Sequence, residues 1–258
     1  MPKFSTLISV YKRDNPIWLK QALESIFSQS VKPSEVVLVC DGPLTEDLEN
    51  VLIQYEDKII LHRLTKNCGL GEALRQGVLK CSNELIARMD ADDISLPDRF
   101  EKQLAYFGKH PNTAVLGGRI QEIDGNTLQP VAIRNVPLTD AEIKKYIKTR
   151  SPFNHMTVMY KKSAVLAAGN YLPFHLMEDY YLWARMSAKG YEMANLPDIV
   201  LNARLDGAMY GRRGGLKYFK SNYLMSKKLR ELGLISLPTH LFNTVVRFCV
   251  QVLMPNSV

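Results

Sequence analysis

The sequence predicts an α/β fold in which a mostly parallel central sheet is flanked by helices and followed by a basic helical extension. Three observations predict it. Short β-rich runs alternate with helix-spaced segments over residues 4–89, the pattern of parallel strands joined by crossover helices. Residues 35–40 form a continuous apolar run, Val36 to Cys40, of the kind buried on both faces. The charge is uneven: residues 1–203 hold 24 Lys/Arg and 24 Asp/Glu, whereas residues 204–258 hold 9 against 2 and carry the whole net charge of +7.

The elements follow in order. Residues 4–10 read as a strand, 16–29 as a helix with Leu19, Leu23 and Ile26 on one face, and 35–40 as the buried strand. A helix near 45–55, a strand over 58–64, a helix over 70–80 and a strand over 84–89 complete the alternation. A helix is expected over 97–110, with Ser95 as N-cap and Asp98 closing the box. Strands are expected over 113–123 and 156–161, and a helix over 178–189 that Gly190 stops. Two further helices are expected over 214–232 and 237–254. The division expected is a catalytic domain over 1–206 and a basic helical extension over 207–258.

Composition bounds the class. A chain of 258 residues that is 46% hydrophobic and 23% charged has an ordinary globular composition, which excludes wholesale disorder. Cys40, Cys68, Cys81 and Cys249 lack metal-site or disulfide-scaffold spacing, so reduced thiols in a cytoplasmic setting are expected. The first apolar run is short and followed by Lys12 and Arg13, unlike a signal peptide.

In open parallel sheets ligands bind beyond the carboxyl ends of the strands. There the sequence places Tyr11, Asp41, Asn67 and the run Asp90-Ala-Asp-Asp93. Asp90 and Asp92 are two apart, so in extended chain both carboxylates point to one side. Hard oxygen ligands there suit Mg²⁺ or Mn²⁺ shared with a diphosphate. The plain alternative is a helix-entry turn, where Asp is favoured anyway. Asp41 stands before Gly42-Pro43 and reads as a base-binding acceptor or as a turn residue. Asp179 lies three, four and seven residues before Leu182, Trp183 and Met186 and shares their inward face, whereas Glu178 lies on the flank. Asp179 is therefore the candidate general base, with helix N-terminal acid enrichment as the alternative. His155, ahead of an apolar run, reads as structural or acceptor-side.

These pieces, in this order, resemble glycosyltransferase family 2, with its GT-A nucleotide-diphospho-sugar fold. The carriers are Ile8-Ser-Val-Tyr11, Val37-Leu-Val-Cys-Asp-Gly42, Asn67-Cys-Gly-Leu-Gly-Glu-Ala-Leu74, the stretch from Met89 to Arg99 and Met177-Glu-Asp-Tyr-Tyr-Leu-Trp183. His155 to Met159 and Ala168-Gly-Asn-Tyr171 resemble a further block of bacterial polysaccharide members. The resemblance covers about residues 4–230. It implies that Tyr11 packs on the base, Asp41 bonds uracil and Asp90 holds the ribose or base side. It further implies that Asp92 ligates Mn²⁺ or Mg²⁺ and that Asp179 deprotonates the acceptor. Arg212 and Arg213 resemble the family's arginine pair near the diphosphate, with a solvated basic turn as the alternative.

Three departures stand out. Cys40 replaces the first Asp of Asp-Asp-Gly, Gly169-Asn170 replaces Gly-Gly, and Asp206 stands where many members carry a histidine. Gln-x-x-Arg-Trp, found in processive members, is absent, which implies one sugar added per encounter. The expected activity is inverting transfer from a nucleotide-diphospho-sugar, a UDP-sugar favoured, to a glycan or polyprenyl-diphosphate-linked acceptor in bacterial surface polysaccharide synthesis. The rival class is a basic nucleic-acid- or membrane-surface-binding module, resting on a pI near 9.1 and on Tyr218, Phe219 and Tyr223 in the tail. Those aromatics fit a packed helix equally well, and no nucleic-acid partner is expected.

The last helix is amphipathic. Leu241, Phe242, Val245, Val246, Phe248, Cys249, Val252 and Leu253 make a broad apolar face, with His240, Asn243, Thr244, Arg247 and Gln251 as the polar stripe. It is too short to span a hydrocarbon core of about 30 Å. It is expected to lie on an anionic membrane surface at the cytoplasmic face of the inner membrane. The alternative is a terminal helix docked on the body.

Overall fold

The computed structural model describes residues 2–205 and 215–253. The chain opens with β1 (Phe4–Val10), α1 (Pro16–Phe27), β2 (Glu35–Cys40), α2 (Glu46–Ile53), β3 (Ile60–Arg63), α3 (Leu70–Lys80) and β4 (Leu85–Asp90). This is the expected alternation, with ends shifted by a few residues. There follow β5 (Ile94–Ser95), α4 (Arg99–Lys109), β6 (Thr113–Asp124), β7 (Pro130–Arg134) and α5 (Asp140–Tyr146). A 3₁₀ turn (His155–Thr157) then leads to β8 (Met159–Lys161), α6 (Lys162–Ala167), α7 (Glu178–Ala188) and β9 (Glu192–Leu205). The last helices are α8 (Gly215–Glu231) and α9 (Leu237–Phe248), the latter running into a π turn (Cys249–Leu253).

One sheet in the order β3-β2-β1-β4-β8-β6-β9-β5 organises the molecule, and β7 pairs outside β6. Strands β3, β2, β1 and β4 are parallel. Strand β8 runs antiparallel to both β4 and β6. The register sets Ser9 beside Asp90 and Val10 beside Cys40, so the carboxyl ends of β1, β2 and β4 finish at nearly one level. Because β2 and β4 flank β1 on opposite sides, the crevice beyond β1 is a switch point of the sheet.

Each face of the sheet has its own core. On one, Ile8, Leu38 and Met89 pack with Leu19, Leu23 and Ile26 of α1 and Phe100 of α4. On the other, Leu7, Val37 and Ile86 pack with Leu74 of α3 and Trp183 and Met186 of α7. Helix α1 starts where Asn15 Oδ1 accepts the amides of Ile17 (2.9 Å) and Trp18 (3.3 Å), with Pro16 in the first turn. Helix α3 lies so close to the sheet that a Cβ at Gly77 would stand 3.0 Å from Val39 Cγ2 and collide with Leu7.

Several expectations are corrected. Ser95 does not cap α4: it lies buried in β5, and its hydroxyl accepts from Arg99 at 2.9 Å. Asp98 takes the N-cap position without a side-chain cap bond. The strand expected over 156–161 shrinks to Met159–Lys161, because the chain turns first through His155–Thr157. Strand β9 carries no alternating β-branched pattern, and Pro197 interrupts it. A register shift between Gly118 and Arg119 of β6 passes over Pro197 and Asp198, since Leu196 pairs Gly118 and Ile199 pairs Arg119. Two of the three tail aromatics are packed: Phe219 meets Phe248 edge-on at 5.4 Å, and Tyr218 lies against the second core, whereas Tyr223 is exposed.

Candidate active site

Strand β4 delivers the acidic run. The chain leaves extended geometry after Asp90 and turns at Ala91 and Asp92. The expected reason for two carboxylates on one side, an extended chain, therefore does not hold, yet the carboxylates converge. Oxygens of Asp90, Asp92 and Asp93 lie within 4.8 Å of one another. Asp93 is buried; one oxygen accepts the Arg204 amide at 3.0 Å, while Oδ2 has no partner among the described residues. Burial and the neighbouring acids push the Asp92 carboxyl up to about 6 and raise that of Asp93 further. Like charges held this close with an orphaned buried oxygen fit a divalent cation, and the all-oxygen donor set suits Mg²⁺ or Mn²⁺.

The cation the protein itself supplies is Arg88, two residues earlier on β4. It is buried and pairs through Nη2 with Asp90, while Nε and Nη1 have no partner among the described residues. Its charge lowers the carboxyls of Asp92, Asp93, Glu178 and Asp179 against the upward push of burial. Arg99 holds this strand end in place, donating to the Arg88 carbonyl at 2.7 Å and to Gln103 at 3.2 Å.

At the end of β1, Tyr11 and Asp14 exchange bonds: the Tyr11 amide donates to Asp14 Oδ2 at 2.9 Å and its carbonyl accepts from the Asp14 amide at 3.0 Å. Burial and the charges of Asp92 and Asp90 push Asp14 up to about 7, which makes it part of the acidic cluster. At the end of β2, the Asp41 carboxylate clamps the next loop. It accepts from Cys68 N (2.7 Å), Gly69 N (2.9 Å) and Asn67 Nδ2 (2.9 Å). Gly42, at φ +88°, allows this approach, since a Cβ there would come within 2.6 Å of Asn67 N. Cys40 points away into the first core, where burial pushes its thiol up to about 11. The departure from Asp-Asp-Gly thus falls on a packing position.

Helix α7 brings the second pair of acids. Asp179 is half-buried and accepts from Ser151 Oγ at 3.2 Å; burial raises its carboxyl. Glu178 is not the flank residue expected. It is half-buried with its Cβ 3.2 Å from where Gly71 would carry one. Burial, with Asp179 next, pushes it up to about 7. The preceding turn needs left-handed backbone at Gly169 (φ +91°) and Asn170 (φ +57°). Asn tolerates that conformation, so its replacement of Gly is accommodated. Asn170 also donates to the Arg75 carbonyl at 3.0 Å. His155 Nε2 is 2.9 Å from the Tyr171 hydroxyl, and burial together with the Arg88 charge pushes its imidazole well below the ordinary histidine range.

The structure therefore gathers Tyr11, Asp14, Arg88, Asp90, Asp92 and Asp93 at the sheet's carboxyl edge, with Glu178 near enough for Asp90 and Arg88 to act on its charge. Asp41 and Asn67 shape the adjoining loop. Arg212, Arg213 and Asp206 lie outside the described residues. Arg88, Asp14 and Arg204 were not singled out from sequence. A cation inside the apolar strand Leu85–Asp90 was the available signal for the first. Arg204 was counted only with the basic tail, yet it donates to the Asp92 carbonyl and to Gln21 and lies 5.5 Å over the Trp18 ring.

Residues 5–167 match the family described as Glycosyl transferase family 2. The chain belongs to glycosyltransferase family 2. It is 45% identical to an uncharacterized glycosyltransferase of Haemophilus influenzae, over 99% of this chain and 95% of that one. It is 38% identical to the amylovoran biosynthesis glycosyltransferase AmsE of Erwinia amylovora, over 90% and 88%. It is 34% identical to the Escherichia coli UDP-Gal:alpha-D-GlcNAc-diphosphoundecaprenol beta-1,3-galactosyltransferase, over 99% and 93%. Among solved structures, S. aureus TarS in complex with UDP-GlcNAc superposes with a TM-score of 0.72 at 18% identity, over 97% of this chain and 73% of that one. The chain spans 44% of a longer TarS structure. The mannosyltransferase PcManGT of Pyrobaculum calidifontis, in complex with GDP-Man and Mn²⁺, gives 0.64 at 15% identity, over 96% and 81%. The transferase thus has the GT-A fold, and relatives act in bacterial polysaccharide synthesis.

Proposed function

We propose that this family 2 transferase moves one sugar per encounter, with inversion, from a UDP-sugar to a hydroxyl of a glycan or polyprenyl-diphosphate-linked acceptor at the cytoplasmic face of the inner membrane. The observation that carries the reading is the Asp90/Asp92/Asp93 cluster at the sheet's switch point, set electrostatically against Glu178 and Asp179 through Arg88. The UDP-sugar and lipid-diphosphate parts are supported by the printed activity of the Escherichia coli relative and by TarS with UDP-GlcNAc.

The residues divide the work. Tyr11 would pack on the base. Asp41 and Asn67 would shape the loop beside it, the Asp41 carboxylate keeping an accepting position for a uracil N–H. Asp90 would hold the ribose side, and Arg212 and Arg213 would face the diphosphate. Asp92, with Asp93 beside it, would hold Mn²⁺ or Mg²⁺, which would supply positive charge to the departing diphosphate. The acceptor oxygen attacks the anomeric carbon as the bond to the diphosphate oxygen breaks and that oxygen leaves with the electron pair. Asp179 takes the hydroxyl proton. Its bond from Ser151 orients the carboxylate, and burial makes it readier to accept a proton. A single displacement needs no enzymatic nucleophile. Glu178 and His155 stand on the acceptor side.

Two variants test this. Asp179→Asn should lower turnover by about 10²–10⁴ while UDP-sugar binding persists. Asp92→Ala should abolish Mn²⁺-dependent UDP binding, read by calorimetry, without unfolding the protein. Wild-type UDP binding by Asp92→Ala in Mn²⁺ would remove the metal assignment. A larger loss with Glu178→Gln than with Asp179→Asn would move the base to Glu178.

A further inference from the structure

Helix α9 is attached to the body by the wrong face for an ordinary surface helix, which turns its apolar stripe to the core. Its polar residues point inward. His240 is buried with Nδ1 2.9 Å from Ser226 Oγ, Asn243 donates to the Lys148 carbonyl (3.0 Å) and Arg247 to the Thr149 carbonyl (2.9 Å). Gln251, beyond the helix, is buried and accepts from Asn222 of α8 at 3.4 Å. The apolar residues point outward: Leu241 is 55% exposed, Phe242 68% and Val245 61%, with Leu237, Val246 and Leu253 also exposed. Leu237, Leu241, Phe242, Val245 and Val246, linked by steps of three and four, form one continuous strip of the helix.

Helix α8 packs beside α9 and exposes a second mixed face. Met225 and Leu229 are buried, while Leu216, Tyr223 and Leu224 are exposed among the exposed Lys217, Lys220, Lys227 and Arg230. The one acid in these two helices, Glu231, is paired with Lys228 at 2.8 Å. The outer surface of the hairpin is therefore apolar and cationic at once.

We propose that this outer face of α8 and α9 docks on an anionic lipid bilayer, with Phe242, Val245 and Leu241 entering the acyl boundary and the α8 cations meeting lipid phosphates. Apolar side chains bordered by exposed cations complement that surface on both counts. A second copy of the chain fits less well, because the same face offers Lys217, Lys220, Lys227 and Arg230 no acid but Glu231, which Lys228 already holds. The twelve residues of α9 measure about 18 Å, and no helix among the described residues is long and apolar enough to cross a membrane. The hairpin lies on the surface. The inference rests on this helix surface and not on the choice of donor or acceptor.

The test is co-sedimentation of the full chain with vesicles of phosphatidylglycerol and phosphatidylethanolamine, against vesicles of phosphatidylcholine alone, at low and high salt. Wild type should pellet with the anionic vesicles and be released in part by salt. Phe242→Glu/Val245→Glu and Lys220→Glu/Lys227→Glu should each lower partitioning by about tenfold or more. All four side chains are exposed, so unfolding midpoints should match wild type. UDP binding, measured separately, should be unchanged in both variants, which separates failure here from failure of the proposed activity. Absence of wild-type binding to anionic vesicles, or undiminished binding by Phe242→Glu/Val245→Glu, would overturn the proposal. So would a wild-type dimer in solution that this variant dissociates without any partitioning to vesicles.

Discussion

Arg88 bears the heaviest electrostatic burden of any single residue in the site. Its guanidinium is 1% exposed and paired with Asp90, and four other carboxyls feel its charge. Burying a guanidinium is costly, and removing it leaves Asp90, 27% exposed, without its counter-ion beside Asp92 and Asp93, at about 1–3 kcal/mol. Arg88→Met should therefore lower stability by about that amount in urea titration. It should also move the acid limb of any pH–rate profile upward, because Asp179 and Glu178 lose the charge that opposes their burial. Arg88→Lys should restore part of both effects, since a point charge remains while the planar fork is lost. A profile unmoved by Arg88→Met would show that the arginine serves packing alone.

Among elements, the least forgiving seam is that between α3 and the parallel strands. Gly77 brings the helix within van der Waals range of Val39 and Leu7, and the same helix begins at Gly69, whose amide the Asp41 carboxylate holds at 2.9 Å. Gly77→Ala adds a methyl to a filled seam, at about 1–3 kcal/mol. Better helix propensity offsets about 1 kcal/mol of that. The urea midpoint should fall despite the gain in propensity; a rise would show that Leu7 repacks freely. Other elements follow local rules. Asn15 caps α1 and Gly190, at φ +80°, ends the turn after α7, and both signals are present in the sequence. Helix α4 is the counter-example: its expected cap, Ser95, is drawn into β5 by its antiparallel pairing with Leu201 of β9, a partner more than a hundred residues away in the chain.

At the scale of the molecule, the clustered acids set how stability responds to pH. Burial and mutual repulsion raise Asp14 to about 7, Asp92 to about 6 and Glu178 to about 7. Between the ordinary carboxyl range and those values the native state binds more protons than the unfolded chain, so stability falls as pH rises. Without divalent metal, the unfolding free energy should drop by on the order of 2 kcal/mol from about pH 5 to about pH 7. Carboxyls held low by partners, such as Glu49 beside Arg63, lose their contribution only in more acidic solution, outside that window. Mn²⁺ should reverse the fall at pH 7 by binding the native state, and Asp14→Asn should flatten the slope. Thermal unfolding across this range is the measurement, and stability that rose with pH would refute it.

What the sequence by itself determined was local and periodic: the strand–helix alternation to Asp90, the acids at strand ends, the helix that carries Glu178 and Asp179, and the amphipathic pattern of α9. Each is written in neighbouring residues, because side-chain spacing and turn chemistry act over a few positions. Tertiary structure alone decided the rest. It bulged β9 around Pro197, put Arg88 beneath the carboxylates and turned Glu178 inward beside Gly71. It also sent the polar stripe of α9 to the body and its apolar face outward. Those outcomes depend on which distant groups meet, and the energy of a buried charge or an exposed apolar face is set by its surroundings and not by its place in the chain.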